Sequence, residues 1–166
     1  MIRNTAVTVC GPLNVNKLGV TYVHEHLMVK PQLPDEYYIP YTLDDEAAST
    51  EETRSFSAAG GETLVEMTPI NYGRNVKAYQ RIAQATGVHV ICCTGFHKQL
   101  FMPPWFGDKT DGELYDILMD EVTNGLDGTE IHPGVIKLGT SFEEVTAAEK
   151  RSIEAVARVH RDTGIP

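Results

Sequence analysis

The sequence predicts an α/β fold in which helices cover a parallel sheet. Two observations favour this fold: apolar, β-branched runs alternate with amphipathic stretches that end at glycine, and the third of these runs is too uniformly apolar to have one wet face. Four such units average about 40 residues each, whereas a closed (β/α)8 barrel needs roughly 250 residues. The chain therefore supplies half a barrel. A small open doubly wound sheet is the alternative, although no Gly-x-Gly-x-x-Gly follows any strand to support a nucleotide crevice.

The first unit follows a short N-terminal segment, residues 1–18. Its strand is predicted over residues 19–26. A loop with three prolines between positions 31 and 40 leads to a helix over about 44–59, and two glycines end that helix.

The second unit has its strand at residues 62–67, and Thr68 and Pro69 end that strand. Its helix is predicted over 74–85 and stops at Gly87. The third strand, 89–94, follows directly and is continuously apolar, as expected for a strand covered on both faces.

A long loop over residues 96–108 follows the third strand, and loops of this length are often functional. The third helix is predicted over 111–123 and the fourth strand over 134–139. Thr146 and Glu149 then form a capping box, since hydroxyl and carboxylate can each satisfy an orphan amide at a helix start. The last helix begins there and stops near Gly164.

Composition excludes several classes of partner. The chain has 14 Lys and Arg against 23 Asp and Glu, a formal charge of -9, so phosphate backbones and anionic membrane surfaces are repelled. No apolar run approaches the roughly 20 residues that span a bilayer, and the first residues lack the apolar stretch of a secretion signal. Three cysteines, two of them adjacent, suit reduced and packed thiols. We expect a cytoplasmic protein that binds neither nucleic acid nor membrane.

Two histidines close the first strand. Because side chains alternate across a strand, His24 and His26 point to the same side, about 7 Å apart. Two imidazoles at the carboxyl end of a parallel strand suit a divalent metal such as zinc. The alternative is a polar stripe on an exposed edge strand; the apolar neighbours Val20, Val23 and Leu27 favour the metal site.

A lysine interrupts the fourth strand, which is otherwise apolar. Lys137 lies between Ile136 and Leu138 in a strand expected to be buried on both faces. A lone buried ammonium is costly, so this lysine needs a partner, a lowered pKa or a modification that changes its charge. A lysine that extends to the strand end, or pairs with a carboxylate there, is the alternative.

Five segments follow one another at a characteristic spacing: residues 19–27, 62–66, 71–75, 94–96 and 134–137. In order and spacing they resemble the phosphotriesterase family of the amidohydrolase superfamily, in its lactonase branch. Residues 8–12 are similar to that family's N-terminal hairpin, so the likeness runs over essentially the entire chain. The combination of His-x-His with a lysine on the fourth strand is specific to the phosphotriesterase family within the amidohydrolase superfamily.

The resemblance implies a (β/α)8 TIM barrel with two divalent metal ions, of zinc type. It implies that Lys137 is carboxylated by CO2 into a carbamate that bridges the ions, and that His24 and His26 hold one of them. A carbamate turns a costly buried cation into a shared anion, which accounts for the lysine. The implied activity is hydrolysis of a small ester or lactone, or of a phosphotriester, by a metal-bridging hydroxide.

The family's remaining ligands follow strands five, six and eight, beyond this sequence. We therefore expect residues 1–166 to be the N-terminal half of one barrel domain, with a hairpin at 1–18 and β/α units at 19–166, and the complete barrel to be needed for activity. The alternative is a non-catalytic half-barrel that acts as a binding protein or pairs with another half. Open strand edges and apolar faces would favour a homo-oligomer.

Four more residues are candidates for the site. His97 and Lys98 follow the third strand at the active-site end, where they can contact substrate, and Trp105 can form an apolar wall. A loop lysine is more often simply solvated. Glu66 ends the second strand and can orient a metal-bound imidazole, or form an ion pair without a catalytic role.

Other polar and aromatic residues are assigned structural roles. We expect Tyr22 to lie in the barrel core and Arg74 to pair with an acidic neighbour rather than to bind substrate. We also expect His89, His132 and His160 to be structural or solvated, because the first two precede their strands and the last lies in a helix.

Overall fold

The computed structural model describes residues 4–31 and 41–166, so Pro34 and Pro40 of the predicted loop lie outside the described residues. Within these ranges the chain forms six strands and four α-helices. The strands are β1 (Thr5–Thr8), β2 (Gly11–Asn14), β3 (Thr21–Glu25), β4 (Thr63–Glu66), β5 (His89–Gly95) and β6 (Val135–Lys137). The helices are α1 (Glu46–Ala58), α2 (Val76–Thr86), α3 (Asp111–Asn124) and α4 (Ala147–Thr163).

The main sheet has four parallel strands in the order β3-β4-β5-β6. The order follows the chain without a reversal, whereas a doubly wound sheet reverses its order at a switch point. Helix α1 packs against α2, and α3 packs against α4. The predicted half-barrel is confirmed, and the four predicted strands and helices are all present, with β6 shorter than expected.

The outer position of β3 contradicts the expectation that the apolar neighbours of His24 and His26 are buried. Strands β4 and β5 are buried nearly throughout. In β3, by contrast, Val23 is 74% exposed, and the preceding Val20 is 58% exposed. Only Leu27, just after the strand, is buried as the argument assumed. In the described chain β3 pairs with β4 alone, which leaves its other edge uncovered.

The prediction that Tyr22 lies in the barrel core is wrong. Tyr22 pairs in register with Leu64, and the shift in register between β3 and β4 comes only after it, between Tyr22 and Glu25. Leu64 belongs to the apolar cluster that packs on α2, so Tyr22 faces the helices rather than the barrel interior. Tyr22 packs instead on the ring of Phe56 in α1, at 4.9 Å between centroids, and is largely exposed.

Two apolar clusters hold the helices to the sheet. The first joins β4 and β5 to α2 through buried residues such as Leu64, Val90 and Ile82. The second lies between α3 and α4, around residues such as Leu118 and Val159. These two clusters are where burial of apolar surface stabilises the fold.

The N-terminal hairpin of β1 and β2 is antiparallel and lies within the predicted segment 1–18. The amide of Val9, just after β1, donates to the carbonyl of Val90 in β5 at 2.8 Å. The hairpin is thus attached to the sheet. The division of the chain into one domain with these boundaries stays a prediction.

The predicted ion pair of Arg74 is confirmed. Its guanidinium is almost fully buried and contacts Glu121 at 2.5 Å and Asp127 at 2.6 Å. Burial alone would lower the pKa of Arg74, but the hydrogen bonds that it donates to Asp127 and Glu121 outweigh burial and raise the pKa. The guanidinium also donates to a third partner, the carbonyl of Cys93, at 3.2 Å, so Arg74 ties the start of α2 to β5 and α3.

Glu149 holds two loops to the start of α4. The capping box with Thr146 is present as predicted. The carboxylate also accepts hydrogen bonds from the amide of Gln99 at 3.0 Å and the hydroxyl of Ser141 at 2.7 Å. Burial would raise the pKa of Glu149, but these bonds outweigh it and lower the pKa to about 2. The loop after β5 and the loop after β6 are therefore fixed to each other.

The three cysteines are free thiols, as predicted. Cys92 and Cys93 are buried, and burial raises the pKa of Cys92 to about 12. Cys10 is exposed, so the expectation of a packed thiol fails at that position. Among the residues that the structure describes, no helix combines the length and the apolar character needed to cross a membrane.

We predict that Glu149→Gln lowers the free energy of unfolding by about 2 kcal/mol at pH 7, because buried donors lose a charged acceptor. The pKa in the folded state is depressed from the usual 4.5 to about 2. The contribution of the carboxylate is therefore complete above about pH 5 and is lost as the pH falls toward 2. Urea unfolding at pH 7 and pH 3 measures both effects.

The matched control is Glu154→Gln, because Glu154 is exposed on the same helix. We expect this variant to unfold like the unmodified chain. An equal loss of stability in both variants, or a loss for Glu149→Gln that does not shrink at pH 3, contradicts the prediction.

Candidate active site

The carboxyl ends of the four parallel strands meet at one edge of the sheet. His24 and His26 lie at the end of β3, Glu66 at the end of β4, His97 just after β5 and Lys137 at the end of β6. This is the edge at which barrel enzymes build their sites. The structure therefore brings five of the seven predicted site residues to one place.

The amine of Lys137 faces an imidazole. Its Nζ lies 3.1 Å from Nε2 of His24, and the residue is only 7% exposed. Burial lowers the pKa of this amine. No ion pair joins Lys137 to a carboxylate in the part of the chain that the structure describes. The ion-paired alternative for this lysine is therefore not what the described residues show.

The two histidines of β3 converge as expected. Their ring centroids are 5.4 Å apart in an edge-to-face arrangement. Burial and the nearby charge of Lys137 lower the pKa of His24, which favours the neutral imidazole. A neutral imidazole has the lone pair that a metal ligand needs.

Glu66 reaches His26 through a third residue. Nδ1 of His26 lies 2.8 Å from the hydroxyl oxygen of Thr68, and that hydroxyl lies 2.6 Å from Oε1 of Glu66. Glu66 and Thr68 are both 0% exposed. Sequence reasoning identified Glu66 but treated Thr68 only as part of a strand break. The signal in the sequence that could have identified Thr68 is a hydroxyl side chain two residues after the glutamate that ends the strand.

His97 lies in an aromatic group beside the two histidines. Its ring centroid is 4.6 Å from that of Tyr72 and 4.8 Å from that of Phe101, and Tyr72 is 6.0 Å from His26. Burial, with the charges of Lys137 and Lys98, lowers the pKa of His97 to about 4. Sequence reasoning did not select Tyr72 or Phe101 for the site.

The described contacts of the other two predicted residues, Lys98 and Trp105, are with aromatic rings. The Nζ atom of Lys98 is 5.5 Å from the ring centroid of Phe101. Trp105 packs on Phe96, at 6.2 Å between centroids, and is partly buried against the α3–α4 cluster. Contact of Lys98 or Trp105 with substrate stays a prediction.

The remaining predicted structural histidines behave as expected. His132 bonds through Nδ1 to the carbonyl of Val122 at 3.1 Å, and His160 to that of Ile165 at 2.7 Å. His89 begins β5 at the opposite edge of the sheet.

The donor set fits a divalent metal on one condition. In residues 4–31 and 41–166, no three His, Cys, Asp or Glu side chains converge as ligands. Two imidazoles and one amine do converge. An ammonium repels a cation, whereas a carbamate on the same nitrogen adds anionic oxygens that bind one. The residues therefore fit a metal when Lys137 is carboxylated.

Comparison with known proteins identifies the family. Residues 4–166 match the model of the phosphotriesterase family. The chain belongs to the phosphotriesterase family. The resemblance seen in the sequence is thus confirmed.

Relatives of this phosphotriesterase-family chain include hydrolases. A phosphotriesterase-related protein from Nematostella vectensis is 32% identical over 199 residues, covering 100% of this chain and 57% of that protein. A phospho-furanose lactonase from Mycoplasmopsis synoviae is 32% identical over 182 residues, covering 100% of this chain and 52% of that protein. The chain spans about half the length of the curated relatives it matches.

A solved structure has the same fold. The crystal structure of a lactonase from Listeria monocytogenes superimposes with a TM-score of 0.88 at 30% identity. The match covers 98% of this chain and 55% of the Listeria chain. The β/α units described above therefore correspond to about half of a phosphotriesterase-family barrel.

The close approach of β5 to β6 requires a glycine. Gly95 has a φ of +114°, and a Cβ at this position would overlap the carbonyl oxygen of Lys137. We predict that Gly95→Ala lowers the free energy of unfolding by more than about 3 kcal/mol, because backbone strain and a steric clash add. Denaturant unfolding measures the loss.

Gly11→Ala is the matched control for that prediction. Gly11 has a similar φ of +106°, but a Cβ there meets nothing within 4 Å. We expect a cost of only about 1–2 kcal/mol from the backbone alone. Equal losses for the two variants would show that the contact with Lys137 does not matter.

Proposed function

We propose that this chain contributes half of the active site of a metal-dependent hydrolase that acts on lactones. The observation that carries the proposal is the approach of Lys137 Nζ to His24 Nε2 at 3.1 Å, next to His26. The desolvated amine has a histidine but no carboxylate as its partner among the described residues. Family membership supports the same class of reaction.

The first element of the proposal is a carbamate on Lys137. The lone pair of the neutral amine attacks the carbon of CO2, an N–C bond forms, one C=O π bond becomes the C–O⁻ group, and one N–H proton leaves to solvent. The product is an anion at a position where a cation is costly. Burial of Lys137 favours the neutral amine that this reaction needs.

The second element of the proposal is a pair of metal ions that the carbamate helps to bind. We propose two divalent ions, of zinc type, held by His24, His26 and carbamylated Lys137, since imidazole and anionic oxygen are ligands that zinc accepts. When bound, such ions lower the pKa of water and polarise the bond that is attacked.

The surrounding residues have their own parts in the proposal. Glu66 and Thr68 orient the His26 ring through the 2.6 and 2.8 Å contacts. His97, with Tyr72 and Phe101, forms an aromatic wall that limits access of water and packs against the apolar part of a substrate. We propose that Lys98 binds an anionic substituent of the substrate and that Trp105 forms the outer part of this wall.

The proposed substrate is a small lactone. The support is that a relative is named a phospho-furanose lactonase and a solved structure a lactonase. Phosphotriester hydrolysis is the substrate alternative, and a non-catalytic half-barrel is the alternative of another class. Because the chain spans about half of its relatives, we propose that turnover belongs to the complete barrel.

We predict that the purified chain binds Zn²⁺ more tightly when bicarbonate is present. Lys137→Met should weaken binding by more than the roughly 10- to 100-fold that outer hydrogen-bond partners contribute, because it removes a ligand. Calorimetric titration measures affinity, and ¹³C-bicarbonate gives a carbamate signal in the NMR spectrum that the variant lacks.

Lys77→Met is the control, because Lys77 is exposed on α2. It should bind Zn²⁺ like the unmodified chain. Absence of zinc binding with bicarbonate, or equal affinity after Lys137→Met, overturns the metal proposal.

Hydrolysis assays with a five-membered lactone and a phosphotriester decide between the substrates, in this chain and in a protein that carries the complete barrel. Faster lactone hydrolysis supports the proposal. Faster phosphotriester hydrolysis favours the substrate alternative. A complete, zinc-loaded barrel that hydrolyses neither overturns the catalytic proposal in favour of a binding protein.

A further inference from the structure

The hydroxyl of Thr68 lies between a carboxylate and an imidazole, with no room for solvent. Its oxygen is 2.6 Å from Oε1 of Glu66 and 2.8 Å from Nδ1 of His26. The amide of Thr68 donates to the same Oε1 at 3.1 Å. Thr68 and Glu66 are both 0% exposed.

A hydroxyl has a single proton, and the geometry decides where it goes. The carboxylate oxygen of Glu66 can only accept, so the Thr68 hydroxyl donates to it. The hydroxyl oxygen is then left with lone pairs toward His26. A hydrogen bond at 2.8 Å therefore requires a proton on Nδ1 of His26.

A neutral imidazole holds one N–H, so a proton on Nδ1 leaves the lone pair on Nε2. The opposite tautomer would turn the Thr68 proton toward Nδ1. Two acceptor oxygens, of Thr68 and Glu66, would then face each other at 2.6 Å in a buried site. Two oxygen lone pairs held that close with no proton between them repel each other, so this tautomer is disfavoured.

We propose that Thr68 is a positioning residue that fixes the tautomer of His26 and so directs the Nε2 lone pair toward a cation. The consequence for metal binding rests on the function proposed above; the tautomer itself does not. Glu66 acts only through Thr68, because its Oε1 is 3.5 Å from Nδ1 of His26, which is too long for a direct hydrogen bond.

The variants Thr68→Val and Thr68→Ser separate this role from packing. Valine keeps the shape of threonine but has no hydroxyl, whereas serine keeps the hydroxyl. Thr94→Val is the matched control. The hydroxyl of Thr94, in the neighbouring strand β5, is also buried and also donates to a carboxylate, that of Glu121, at 2.5 Å.

The test is ¹H–¹⁵N NMR of the metal-free chain with ¹⁵N-labelled histidine, which reports the protonated ring nitrogen. His26→Gln assigns the signal. We expect His26 to carry its proton on Nδ1 in the unmodified chain, in Thr68→Ser and in Thr94→Val, and to lose this preference in Thr68→Val. A proton on Nε2 in the unmodified chain, or no change in Thr68→Val, overturns the inference.

Zinc titration of the same variants separates the two proposals. We expect Thr68→Val to bind Zn²⁺ about 10- to 100-fold more weakly, with Thr68→Ser close to the unmodified chain. Failure of the unmodified chain to bind zinc, with the tautomer as inferred, overturns the proposed function alone. Tight zinc binding that Thr68→Val leaves unchanged, with an unchanged tautomer, overturns this inference alone.

Discussion

The amine of Lys137, taken out of water at the end of β6, is the constraint on which the rest of the site depends. A buried ammonium without a carboxylate is unstable, and the described partner of this amine is the Nε2 atom of His24. Lys137 and His24 are 113 positions apart, so only the curled parallel sheet brings them together. Strands β5 and β6 can approach closely at this point because Gly95 leaves space for the Lys137 carbonyl. The pairing of β5 with β6 therefore both shapes the sheet and positions the amine of Lys137.

Buried carboxylates hold the groups that surround this pair. Glu149 fixes the loops after β5 and β6 to the start of α4, and Glu66 fixes His26 through Thr68. Both carboxylates accept backbone amides as well as hydroxyls, which makes their geometry rigid. A buried cation has a similar role beside β5, where the guanidinium of Arg74 holds the carboxylates of Glu121 and Asp127. The strand ends thus carry preorganised side chains, which is what a metal site or an active site needs.

The sequence predicts the architecture well because the fold depends on local patterns. A continuous apolar run specifies β5, and the capping box at Thr146 specifies the start of α4. Two failures have a common cause, since they depend on pairing between distant segments. The contact of Tyr22 with Phe56 joins β3 to α1, and the contact of Thr68 with His26 joins positions 42 apart. Periodicity within one strand contains no information on either.

Preorganisation also bears on how much of a metal site half a barrel can provide. Zinc takes four ligands in most protein sites, and the described residues offer two imidazoles and one modifiable amine. Under the proposed function, the affinity of this chain for zinc depends on how far His26 and Lys137 already have the required lone pair and charge before the ion arrives. Each group that must change its proton or its position on binding lowers that affinity. In that proposal, the Glu66–Thr68 pair would remove this cost for His26, and carboxylation of Lys137 would remove it for the amine. A half site prepared in both ways can hold an ion that an unprepared pair of histidines would lose to water.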